Sequence, residues 1–140
     1  MLRSSAVPVP TPIALTRSAD IAHPERALRR AEIVRVRGGV YADAGEWQAL
    51  TPWNRYLARI HAVALDRPDA IFSHDSAAAL HGMPVFGDPL VVHVLAHPST
   101  TARQVAGVRV HNGDGDRDIV EAGGVVLTGV ADTAASRATR

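Results

Sequence analysis

The segment FSHDSAAALHGMPV, residues 72–85, gathers two histidines, an aspartate and two serines within ten positions. Side chains of these types could form a nucleophile with its general base, or a metal site. The spacing argues against both. His74 and His81 are seven apart, two turns along a helix, too far to share a tetrahedral zinc. The zinc-protease arrangement sets its histidines four apart with a glutamate between them. A nucleophile elbow needs Gly-x-Ser-x-Gly, whereas Ser76 is flanked at those positions by His74 and Ala78. Ser73 or Asp75 stands where a helix N-cap belongs, directly after a short apolar run. The segment therefore reads as a strand-to-helix corner.

The other candidate chemistries fail on similar grounds. His93 alternates with Val92 and Val94 and should face away from them, while His97 and His111 add no ligand spacing. NGDGDRDIVE resembles a calcium loop, which needs Gly at its sixth position and Glu at its twelfth. Started at Asp114 it offers Ile119 and Val125, and started at Asn112 it offers Arg117 and Gly123. The run reads as a solvated loop. With 0 cysteines there is no thiolate ligand, no thiol nucleophile and no disulfide framework. The expectation is a protein that is not an enzyme, with no catalytic residue, no cofactor and no metal.

One charge pattern stands out. The net charge is only +1, yet Arg26, Arg29, Arg30, Arg35 and Arg37 crowd one short segment against a single acid inside it, Glu32. Every basic side chain of the protein is arginine, whose planar fork matches phosphate oxygens and guanine edges. HPERALRRA reads as a short helix with Pro24 at an early position. IVRVRGGVYA reads as a hairpin turning at Gly38-Gly39. A short helix followed by an arginine-studded hairpin is the end of a winged helix-turn-helix, a DNA-binding arrangement. Arg26, Arg29 and Arg30 would lie on its recognition helix, and Arg35 and Arg37 on its wing against phosphate.

The elements around these segments suggest an α+β fold in three parts. Residues 1–12 are proline-rich and read as a disordered arm. Residues 13–50 form the winged-helix-like domain, and residues 51–140 a small α/β domain. TPWNRYLARIHAVALDRPD has the best helix evidence, with Thr51 as N-cap, Pro52 after it, and Trp53, Tyr56, Leu57 and Ile60 on one face. Short strands are expected over 70–72, 90–96, 107–111, 118–121 and 125–128. GVADTAASRATR could begin a closing helix, but its small side chains cover little surface, so a second copy of the chain or a partner should shield the sheet. No apolar run approaches the ~20 residues that span a bilayer, so a cytoplasmic protein is expected.

The ordered series IVRVRGGVYADAGEW, TPWNRYLARIHAVAL, SHDSAAALHGMPV, VHVLAHP and GVRVHNG resembles the AbiEi family of type IV antitoxins, in its actinobacterial form. The resemblance covers roughly residues 26–133, and SHDSAAALHG is its most specific part. It implies a winged helix-turn-helix that binds operator DNA and represses its own toxin-antitoxin operon. It further implies an α/β domain that counters a nucleotidyltransferase toxin, in which the opening segment is a structural hallmark. The family's closing pattern is degraded here, with Gly129 for Ser, Asp132 for Arg and Ser136 for Asp, and the chain reads as C-terminally truncated. Two other readings remain open: a protein-interaction module, and the N-terminal fragment of a larger protein with a nuclease-like domain.

Overall fold

The computed structural model describes residues 7–86, 89–96, 104–105, 107–111 and 118–138. His97, the NGDGDR run and the first half of the expected arm lie outside the described residues. Among the described residues the chain is a mixed α+β protein with five α-helices and two sheets. Among the described residues no helix is long and apolar enough to cross a membrane.

The first sheet holds β1 (Thr16–Arg17), β2 (Ile33–Arg37) and β3 (Val40–Asp43), in the order β1-β3-β2 and antiparallel throughout. A 3-10 turn over Ser18–Asp20 and helix α1 (Pro24–Arg29) lie between β1 and β2. The expected hairpin turns at Gly38-Gly39, where Gly39 takes φ +82°, a conformation that favours glycine. The chain runs from β3 directly into α2 (Ala44–Gln48), with the Asp43 carboxylate accepting the Glu46 amide at 2.9 Å. Asp43→Ala should cost about 1 kcal/mol in denaturant unfolding by removing this cap. A loss near zero would show that α2 is held by packing alone.

Helix α3 (Pro52–Asp66) starts as its sequence demands, with Thr51 Oγ1 accepting the Asn54 amide at 3.2 Å and Pro52 in the first turn. Its buried face is Tyr56, Leu57, Ile60 and Val63. Arg55 and Arg59, on other faces, set their guanidinium carbons 5.6 and 5.3 Å from the Trp47 ring centroid, and Arg55 also donates to the Trp47 carbonyl. These contacts bind α2 to α3.

The second sheet contains β4 (Ile71–Phe72), β5 (Val92–Leu95), β6 (Gln104–Val105), β7 (Val108–His111), β8 (Ile119–Ala122) and β9 (Val125–Thr128), in the order β6-β7-β5-β4-β9-β8. The β4–β9 and β5–β7 pairs are parallel and the rest antiparallel. Register puts Phe72, Val92, Val94, Val108, Val125 and Leu127 on one face, where they join the buried face of α3 in a single core. Helix α4 (His74–Leu80) adds Ala77, Ala79 and Leu80 to that core. Helix α5 (Val130–Ala138) does form, and packs against α4.

Residues 7–12 depart from the expectation of a disordered arm. The Val9 amide donates to the Leu80 carbonyl at 2.8 Å, and the Val9 carbonyl lies 2.9 Å from His61 Nε2. Pro8 is buried, and a Cβ at Gly123 would come within 3.1 Å of its ring. Proline content argued for disorder, but prolines also suit an extended strap that needs few backbone donors.

Candidate functional site

The five arginines separate into two groups. Arg26 and Arg29 lie on α1 and Arg30 caps it, all three exposed. Arg35 is exposed on β2, its guanidinium carbon 5.8 Å from the Tyr41 ring centroid. Arg37 differs: its Nη2 lies 3.1 Å from Asp66 Oδ2 on α3. Strict alternation would put Arg35 and Arg37 on the same face of β2. A register shift falls between them, with Arg35 opposite Tyr41 and Arg37 opposite Val40. A bulge of this kind inserts one residue and turns the following side chain. Arg37 therefore points to α3, away from the exposed set.

The opening segment forms the corner its sequence suggested. Ser73 is the N-cap of α4, but its hydroxyl makes no cap bond; it lies 2.9 Å from His74 Nδ1. His74 has φ +52°, rare for a residue with a Cβ, so the turn from β4 into α4 carries strain at this histidine. His81, at the other end of α4, holds the Thr128 carbonyl at 2.8 Å. The two histidines of the segment thus serve opposite ends of one helix.

Three histidines that the sequence left scattered are brought together. His93 Nδ1 lies 2.8 Å from His111 Nε2, and the His74 and His111 rings stack with centroids 3.8 Å apart. His74 and His93 centroids are 5.8 Å apart. Parallel pairing of β5 with β7 sets His93 opposite Arg109 and Leu95 opposite His111, on one face of the sheet. The signal was present in VVHVL and VRVH, each a histidine alternating with valine. What no single sequence states is that these two strands are neighbours. The nearly parallel rings, 20° apart for His74 and His111, stack instead of aiming their nitrogens at one point. Among the described residues no three His, Asp or Glu side chains are arranged to hold a metal ion.

Behind this cluster runs a buried relay. The Tyr56 hydroxyl donates to the Val91 carbonyl at 2.9 Å and lies 2.8 Å from Ser76 Oγ, which accepts the His93 amide at 2.8 Å. Tyr56 has one hydroxyl hydrogen, so Ser76 must donate to it. The chain of donors thus runs from His93 through Ser76 and Tyr56 to Val91, tying α3, α4 and β5 together. In N–H···N contact, one imidazole of the His93–His111 pair donates and the other must be unprotonated to accept.

His61 has an altered proton affinity. Burial lowers it below the ordinary imidazole value of 6.5, and its bond to the Val9 carbonyl opposes the shift in part. Comparison with protein-family models, with curated proteins and with solved structures gives no match to this chain.

Proposed function

We propose that the protein is a DNA-binding regulator of the antitoxin type, and that Arg26, Arg29, Arg30 and Arg35 contact the phosphate backbone. The observation carrying this reading is the exposure of four guanidinium groups on two packed elements, α1 and β2. The strand order supports it. A helix lies between the first and second strands of a sheet ordered β1-β3-β2, as a winged helix-turn-helix would require, but a 3-10 turn stands where the first helix of the pair would be. Repression of its own operon and the countering of a nucleotidyltransferase toxin rest on the family resemblance, as does a non-enzymatic role. Arg37, held by Asp66, stands outside the proposed contact set.

Electrostatic binding makes a quantitative demand. Four phosphate contacts give a slope of log K against log[salt] near about −3.6, so affinity for duplex DNA falls roughly a hundredfold between 50 and 200 mM salt. Arg29→Ala combined with Arg35→Ala should remove about 1.8 from that slope. Binding that ignores salt, or is unchanged in the double variant, rejects the proposal. A second reading, a protein-interaction module, draws on a groove of about 570 Å³ between α1, β2 and α2, floored by Leu28, Ile33, Val34 and Ala44. Salt-insensitive association with a protein partner would favour it.

A further inference from the structure

The groove between α1, β2 and α2 has a mostly apolar lining, and three consecutive residues of β2 contribute to it: Ile33, Val34 and Arg35. Successive side chains of a strand point to opposite faces, so one groove touches all three only along the strand's edge. That edge is free. In the sheet order β1-β3-β2, β2 stands last, and among the described residues it pairs only with β3.

The register determines which backbone groups the edge presents. The Ala44 amide donates to the Glu32 carbonyl at 3.0 Å, one step before the pair Ile33–Asp43. Hydrogen-bonded and non-hydrogen-bonded pairs alternate along an antiparallel ladder. Glu32–Ala44 is of the bonded kind, so Val34–Ala42 is bonded too, and Ile33–Asp43 and Arg35–Tyr41 are not. The N–H and C=O of Ile33 and of Arg35 therefore point away from β3, toward the groove. They meet no backbone partner among the described residues.

We infer that this edge accepts an extended segment of a partner protein as an added antiparallel strand, with an acidic residue opposite Arg35 and apolar residues opposite Val34 and Ile33. Main-chain pairing at Ile33 and Arg35 supplies the hydrogen bonds, and the side chains in the groove supply the selectivity. The charge distribution calls for an acidic segment. Arg35 lines the groove, no acid among the described residues lines it, and α1, whose Leu28 forms one wall, exposes Arg26 and Arg29. A second copy of this chain fits worse, because pairing two β2 edges brings the arginines of both together. Edge strands commonly carry charges or bulges that block pairing. Here the bulge lies beyond Arg35, so the stretch from Ile33 to Arg35 stays regular, and a positive guard repels only basic strands. The inference rests on the protein-interaction reading of the groove and is independent of DNA binding.

The test is a titration of the full-length protein with a capped synthetic peptide holding Glu-Val-Val between threonines, followed by amide NMR shifts and hydrogen exchange. The Ile33 and Arg35 amides should gain protection on binding, while that of Val34, already paired, should not change. Methylating the nitrogen of the peptide's Glu, or of its second Val, removes an amide hydrogen that faces β2. Affinity should then fall about tenfold or more. Methylating the first Val nitrogen, which faces away from β2, should change affinity little. A Lys-Val-Val peptide should bind several-fold more weakly, and Arg35→Glu should reverse that preference. Should Arg35→Glu fail to fold, the methylated peptides on the parent protein still decide. Equal binding of every methylated form, with shifts at Leu28 and Val34, would overturn strand addition while keeping an interaction site in the groove. No binding of the Glu-Val-Val peptide would overturn the inference outright. Protection of the Ile33 and Arg35 amides that rises with protein concentration alone would assign the edge to a second copy, and would overturn it too.

Discussion

Replacing Phe72 with alanine should cost about 3–5 kcal/mol of stability. Phe72 is only 1% exposed, and it sits on the two-residue strand β4 at the middle of the six-stranded sheet. Its cross-strand partners are Val94 on β5 and Leu127 on β9. Leu57, Ile60 and Leu80, all essentially without solvent contact, belong to the same core. Removing the ring leaves a cavity that two short strands and two helices cannot close without breaking backbone pairing. A domain of this kind has roughly 5–15 kcal/mol in total, so the variant stands near the edge of folding. Phe72→Leu keeps most of the volume and should cost less than about 1.5 kcal/mol. Urea unfolding at neutral pH separates the two: the midpoint should fall sharply for alanine and slightly for leucine, at constant m-value. A loss below about 1 kcal/mol for alanine would mean that the core is centred elsewhere.

How much of this architecture the residues reveal depends on how locally each element is determined. Helix α3 is legible because Thr51, Pro52 and the 3.6-residue spacing of Tyr56, Leu57 and Ile60 all belong to one segment. The hairpin is legible from Gly38-Gly39, though its bulge is not, because the shift depends on how Val40 and Tyr41 pair across the strands. Strand β1 escapes notice since two residues, Thr16 and Arg17, carry no periodicity. Helix α2 escapes because AGEWQ is too short to repeat its pattern; its one clear signal was Asp43 with Glu46 three residues on. The histidine cluster shows the same limit at the level of the site. His74, His93 and His111 meet only through the pairing of β4 with β5 and β5 with β7, contacts made between distant parts of the chain.

Acid should weaken the fold through His61. Burial holds His61 below its ordinary value, so the folded state resists a proton that the unfolded chain accepts near pH 6.5. The stability His61 contributes is present above that value and is lost as pH falls toward its lower folded value. Each proton taken up on unfolding tilts stability by about 1.4 kcal/mol per pH unit. One such proton sets the upper bound below pH 6.5, and partial exposure to solvent should bring the measured slope under it. Urea midpoints at pH 7.5, 6.5 and 5.5 should therefore be nearly level across the first interval and fall across the second. His61→Gln keeps a donor for the Val9 carbonyl without a group that titrates in this range. It should flatten the fall. A profile that drops as steeply in this variant as in the parent would place the acid sensitivity in the carboxylates instead.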